Sequence, residues 1–280
     1  MAGKRQMVDL LTRRVGPRLT ARIGGAYYSA RGIPCRVRYD DGAWIHRHPT
    51  GTLVNTFLTP LTPDRQDREA EDFFLHAYRP QPGDTVLDVG AGIGGEVRLF
   101  SRLVGEHGRV VAIEAHPRTF DCLRRTVALN RLTNVTPVEC AIVDTPGTVH
   151  LENDDDQGHV VNGLTTDASA GVPVRGRTLA EVMSAYDLRR VDLLKMNIEG
   201  AELPALRGSV EALSAVRHLA VSCHDFLADQ PGREWQRTFK GVVELLRGAG
   251  FTIRTRPVDG RPWVPYYVYA SRTPQVGLRS

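Results

Sequence analysis

Asp88-Val89-Gly90-Ala91-Gly92-Ile93-Gly94-Gly95, residues 88–95, is the stretch that decides the fold. It follows the apolar run Thr85-Val86-Leu87 and precedes Val97, Phe100 and Val104, which share one face of a helix. A glycine loop means something in that strand–loop–helix context. Gly90 and Gly92 let the backbone turn tightly and approach a ligand, and a helix opening near Gly95 aims free N–H groups at it.

The same alternation continues outward. Val110-Val111-Ala112-Ile113 reads as a strand ended by Glu114. Pro117 suits a first helical turn, with Phe120, Leu123 and Val127 at helical spacing. Further strand-like runs are Val135 to Val138, Val191 to Met196 and Leu219 to Ser222. Thr178 with Glu181 predicts a capping box, and Leu203, Leu206, Val210 and Leu213 predict one amphipathic helix. Strands alternating with helices argue a doubly wound α/β domain, a parallel sheet covered on both faces. Phe251 to Ala270 reads as two closing strands around a turn at Asp259-Gly260.

Residues 1–66 form a separate zone, an N-terminal extension that covers the site; 67–280 hold the main domain. An Arg-rich amphipathic helix opens the zone, with Val8, Leu10, Leu11 and Val15 on or near one face. A β-hairpin follows, in which Cys35, Val37 and Tyr39 alternate with Arg36 and Arg38 before an Asp40-Asp41-Gly42 turn. Glu152 to Arg177 breaks the alternation and reads as a long polar loop near the acceptor pocket. Its acidic run, Asp154 to Asp156, reads as solvated, and no metal is expected.

The 280 residues are 41% hydrophobic and 24% charged, enough for one large core. No apolar run approaches the ~20 residues of a bilayer crossing, and no signal-peptide core is present, so a cytoplasmic protein is expected. Cys35, Cys122, Cys140 and Cys223 lack metal-ligand spacing and read as buried thiols. The net charge of +4 is almost entirely Arg, reads as dispersed, and shows no basic stripe with interleaved aromatics. The expected partner is therefore a small-molecule acceptor, not nucleic acid and not membrane; a homodimer is compatible with the sequence.

Two cofactors compete for the loop. Gly90, Gly92 and Gly95 also fit G-x-G-x-x-G, and Glu114 suits the ribose of a nicotinamide dinucleotide, so an NAD(P)-dependent oxidoreductase is the alternative reading. Asp88 favours S-adenosylmethionine, because a carboxylate before the first glycine attracts the methionine ammonium and repels a pyrophosphate. Lys195-Met196-Asn197-Ile198-Glu199-Gly200-Ala201-Glu202 ends the fourth strand and should reach the same crevice. There Asn197 and Glu199 can offer oxygens to cofactor or acceptor, while Glu199 and Glu202 also suit a helix start. Cys223-His224-Asp225 closes the fifth strand, which makes His224 the candidate base, Asp225 its orienter and Glu199 the next choice.

These blocks, with Glu114-Ala115-His116-Pro117, Leu129-Asn130 and Thr178-Leu179, resemble the FkbM family of methyltransferases over about residues 67–225. The resemblance implies a class I, Rossmann-like methyltransferase sheet of seven strands with the last antiparallel. It also implies S-adenosyl-L-methionine as cofactor and O-methylation of hydroxyls on specialised metabolites and saccharides. The implied cofactor set is Asp88, Gly90, Ala91, Gly92, Gly94, Glu114, Ala115, His116, Cys140, Ala141 and Asn197. Asn197 and Gly92 depart from it, since the family usually carries Asp and Asn there. An asparagine still hydrogen-bonds but cannot act as a base.

Overall fold

The computed structural model describes residues 2–152, 164–165 and 171–272. Two helices, α1 (Ala2–Val15) and α2 (Pro17–Ala30), meet at Gly16. Strands β1 (Arg36–Asp40), β2 (Ala43–His48) and β3 (Gly51–Asn55) form an antiparallel meander, so the predicted hairpin gains a third strand. A Cβ on Gly25 would lie 2.9 Å from the Val37 backbone N, which is why α2 can lie flat on β1.

After α3 (Pro63–Phe73) come β4 (Thr85–Val89), α4 (Val97–Val104), β5 (Arg109–Glu114), α5 (Pro117–Leu129) and β6 (Val135–Glu139). Short strands follow: β7 (Ala141–Ile142), β8 (Gly147–Glu152), β9 (Leu164–Thr165) and β10 (Gly171–Arg177). Next are α6 (Leu179–Ala185), β11 (Val191–Met196), α7 (Glu202–Arg207), β12 (Val216–Ser222), α8 (Phe239–Gly248), β13 (Thr252–Arg254) and β14 (Tyr267–Ser271). The main sheet has seven strands in the order β13-β14-β12-β11-β4-β5-β6, with the last strand, β14, antiparallel to both neighbours. Order reverses between β4 and β11, and an open α/β sheet leaves its ligand crevice there.

Central strands are mostly apolar because both faces are covered, with Asp88 on β4 and Lys195 on β11 as buried exceptions. Leu87, Val111, Leu194 and Val221 pack into one core; Val86, Val110, Leu193 and Ala220 pack into the other. The meander is bolted to this domain through α5. Val54 N donates to Thr126 Oγ1 at 3.1 Å, and Asn130 both accepts from Thr52 N and donates to Thr52 O.

Two expectations change. The segment read as a loop from Glu152 to Arg177 contributes strands to a four-stranded sheet ordered β7-β10-β8-β9. Val172 and Val174 flank Pro173, a residue that argues against a strand interior, so β10 does not stand out in the sequence. Asp154 to Asp156 lie outside the described residues. The long helix predicted through Leu213 ends at Arg207; Val210 is exposed, and a separate 3₁₀ turn holds Leu213. Gly208 packs there against the Asp144 backbone, 2.3 Å from where a Cβ would sit. The predicted capping box is present, with Thr178 and Glu181 bonding each other's backbone N–H. No helix among the described residues is long and apolar enough to cross a membrane.

Candidate functional site

At the β4/β11 switch lies a cavity of about 280 Å³. Its floor is the glycine loop. Gly90 sits at φ 78 and its N–H donates to Ile113 O. A Cβ on Gly90 would come within 2.0 Å of Asn197 O, so this glycine lets the loop touch the end of β11. Gly92, at φ 56, has nothing within 4 Å of a would-be Cβ and faces open space. α4 begins at Val97, slightly later than the sequence suggested, with Glu96 at its N-cap position.

Glu114 ends β5 with a buried carboxylate on the cavity wall. Its Oε2 accepts from Gly92 N at 3.0 Å and its Oε1 from His116 N at 2.9 Å. A carboxylate has roughly four acceptor positions, so acceptor capacity remains on both oxygens. Burial pushes the Glu114 carboxyl above its usual range, and the two N–H groups pull it partly back.

The wall includes Gly90, Ala91, Gly92, Glu114, Ala115, Cys140, Ala141, Asn197 and Glu199, as the sequence suggested for the site. Three other proposed cofactor residues stand behind it. Asp88 is fully buried and its Oδ1 lies 2.8 Å from Lys195 Nζ, so its carboxylate is sealed from the cavity. The sequence expected Asp88 to grip a ligand ammonium; in this structure its carboxylate pairs with Lys195. His116 is buried off the wall and serves Glu114 through its backbone. Gly94, at φ 84, seats the loop against Leu123 of α5.

Lys195 is buried beneath the glycine loop. Its Nζ donates to Gly90 O at 2.7 Å, pairs with Asp88 and lies 5.0 Å over the Phe74 ring. Burial lowers its affinity for a proton, but the Asp88, Glu96 and Glu114 carboxylates outweigh burial and raise it. Lys195 therefore stays an ammonium. Glu96, on the cavity wall, is pushed up by burial. It was missed because an acid at a helix start is ordinarily explained by the helix dipole alone.

His224, expected as the base, stands off the cavity wall. It is buried and clamped between two carboxylates. Its Nδ1 lies 3.0 Å from Glu202 Oε1 and its Nε2 lies 3.2 Å from Glu199 Oε2. Burial alone would lower its pKa, but hydrogen bonds to Glu199 and Glu202 raise it to about 10. With both ring nitrogens engaged by carboxylates, the imidazole presents no free nitrogen to the cavity. Asp225 does not orient it either; its Oδ2 accepts from Thr238 N and Phe239 N and caps α8.

The two glutamates around His224 differ in task. Glu202 is fully buried, and its Oε1 accepts from Ile198 N and Gly200 N, fixing the loop after β11. Glu199 sits in the left-handed region at φ 56, which turns its side chain out of the strand path and onto the cavity wall. A non-glycine residue held there costs of order 1 kcal/mol, and such strain gathers at functional sites. Gln236 Nε2 donates to Glu199 O at 2.9 Å and holds the conformation. The far wall comes from Asn55, Phe57, Leu61 and Gln66, from β3 through the start of α3. No spacing rule in the sequence marks these four.

Thus Glu96, Glu114 and Glu199 face the cavity with Lys195 as the cation beneath them, and Ile93, Ile113, Ile142 and Leu151 supply apolar surface. Such a cavity suits a ligand with positive charge, a diol and an apolar ring. It is a poor match for a pyrophosphate.

The profile of the Methyltransferase FkbM domain matches residues 88–253, more than half of the chain. Methyltransferase sdnD of Sordaria araneosa is 29% identical over 64% of this chain and 77% of its own length. The 31-O-demethyl-FK506 methyltransferase FkbM of Streptomyces tacrolimicus is 26% identical over 65% and 77%. Methyltransferase 1 of Beauveria bassiana is 25% identical over 82% and 93%.

Proposed function

Because the chain belongs to the FkbM methyltransferase family and takes S-adenosylmethionine as its cofactor, we propose that it O-methylates a hydroxyl of a small specialised metabolite. A polyketide, glycoside or sugar is the acceptor class. The observation that carries the reading is the position of Glu199, a carboxylate on the same wall as the glycine loop and Glu114, backed by a cationic His224. The name of the Streptomyces tacrolimicus relative, which specifies 31-O-demethyl-FK506, supports a hydroxyl acceptor.

The residues present fit the donor. Glu114 would take the ribose diol, the backbone at Gly90 would carry the amino-acid portion, and Ile113, Ala141 and Ile142 would border the adenine. When bound, the donor supplies an activated methyl group on a sulfonium and adds one net positive charge to a wall rich in carboxylates. Methyl transfer then asks the protein mainly for alignment and exclusion of water, which together can be worth ~7–11 kcal/mol.

Glu199 accepts the acceptor's hydroxyl proton on a carboxylate oxygen. His224 fixes the rotamer of Glu199 through Nε2 and retains its own proton. Asn197 orients the acceptor by hydrogen bonding, a task its amide performs without acid–base chemistry. Asn55, Phe57, Leu61 and Gln66 close the acceptor side.

Labelled donor offered with candidate hydroxyl acceptors tests the reaction, and calorimetry with S-adenosylhomocysteine tests the donor site. In Glu199→Gln, turnover should fall ~10²–10⁴-fold while S-adenosylhomocysteine affinity changes by no more than a few-fold. Full turnover in that variant would remove Glu199 from proton transfer.

A further inference from the structure

The outer surface of the N-terminal helices lies off the cavity wall, and it is built against the usual rule. A surface helix turns its large apolar side chains inward. α2 does the reverse: Thr20, Ala21, Gly24 and Gly25 face the meander, while Leu19, Ile23 and Tyr27 form an outward stripe at i, i+4 and i+8. α1 adds Met7 and Leu10, and these five side chains are 42–60% exposed.

The charge is equally lopsided. Residues 1–31 hold seven cationic side chains and one acidic one, Asp9. The whole chain carries only +4, so the remainder is net acidic and the excess that reads as dispersed is concentrated here. Arg13, Arg14, Arg18 and Arg22 are exposed, and among the described residues none of them forms an ion pair. Apolar stripes edged by arginines are the pattern of helices that lie in a membrane interface.

We propose that α1 and α2 dock this protein on an anionic lipid surface. Neither helix can cross a bilayer. Met7, Leu10, Leu19, Ile23 and Tyr27 enter the headgroup–acyl boundary, and the arginines reach back to lipid phosphates on long stems. A second copy of this chain is the poorer occupant, since a two-fold contact would set one cationic face against another. An acidic protein would answer the charge, but protruding Met, Leu, Ile and Tyr side chains suit a deformable surface. Because Leu58, just past the meander, packs against Gly24 of α2 and the neighbouring Asn55 and Phe57 line the cavity, docking would set the acceptor side close to the lipid. Peripheral docking departs from the membrane-free partner set that the sequence suggested.

The test uses the full chain and sucrose-loaded vesicles of phosphatidylcholine with or without phosphatidylglycerol. The protein should sediment with the anionic vesicles, stay in solution with the neutral ones, and be released as salt rises. Leu19→Asp with Ile23→Asp should lower the anionic-vesicle affinity at least ten-fold. Arg18→Gln and Arg22→Gln should each lower it about five-fold. All variants should bind S-adenosylhomocysteine as the parent does, which establishes folding independently of the acceptor. Equal recovery with both vesicle types, or undiminished binding by the double Asp variant, would overturn the proposal. So would a dimer of the parent chain that the double Asp variant splits. Displacement from vesicles by polyglutamate with no effect of the apolar substitutions would assign the surface to an acidic protein instead.

Discussion

Two buried cations organise the two halves of the cavity, and they do different work. Lys195 ties Asp88 to Gly90 O and holds the glycine loop from behind. His224 ties Glu202 to Glu199, and one of those carboxylates reaches the wall. The first arrangement is a closed support. The second has a free end, and chemistry belongs to the free end. Gly90 joins them, since its backbone meets Asn197 O where no side chain would fit.

The largest expected effect breaks the closed support. Lys195→Met removes the ammonium and leaves Asp88 buried without its partner, which for a buried pair costs about 3–5 kcal/mol. For a domain of this size that lowers the melting temperature by roughly 10 °C. Lys195→Met combined with Asp88→Asn should recover much of the loss, because the uncompensated charge is gone. A melting temperature unchanged in Lys195→Met would show that the pair contributes nothing. Failure of the double variant to recover would place the effect in the lost bond to Gly90 O.

A smaller effect is expected at the free end. His224→Gln keeps a hydrogen-bonding side chain but no charge, and Glu199 can turn partly to water, so the stability loss is about 2 kcal/mol. Turnover should fall as Glu199 loses its orientation, with KM for the donor nearly unchanged. The pH dependence has a definite sign. The folded pKa of about 10 lies above the ordinary 6.5, so this contribution is fully present below pH 6.5 and is lost as pH rises toward 10. Denaturant melts of the parent chain should weaken across that window, and His224→Gln should flatten the decline. A parent chain equally stable at both ends, or a variant with the same slope, would mean that His224 is neutral in the fold.

The same contrast explains what the sequence disclosed. β4, β5 and β11 were legible because strands covered on both faces are mostly apolar, and Glu114 because it ends one of them. The glycine loop was legible because its backbone demands are written in residue type. The partner of each charge was not. Asp88 and Lys195 are neighbours only because β4 and β11 pair in register, and that pairing sealed a carboxylate expected in the site. His224 stood at a strand end where bases occur, but nothing local showed that Glu199 and Glu202 would close on it from both sides. The far wall was illegible for a related reason: Asn55, Phe57, Leu61 and Gln66 are brought over the site by the meander's attachment to α5, which rests on Thr126 and Asn130.

The smallest effect separates torsion from contact within the loop itself. Gly92 needs φ 56, but a Cβ there would meet nothing within 4 Å, so Gly92→Ala should cost only the left-handed conformation, about 1 kcal/mol. The Gly92 N–H to Glu114 Oε2 bond survives such a change if the loop keeps its shape. S-adenosylhomocysteine affinity in Gly92→Ala should therefore stay within a few-fold of the parent, and thermal melts should shift by a few degrees. A loss of affinity beyond ten-fold with normal stability would show that the open space above Gly92 is where the ligand lies, moving the ligand closer to this glycine than the Glu114 wall alone requires. A near-parental affinity keeps Gly92 as a hinge for its N–H and leaves recognition with the carboxylates.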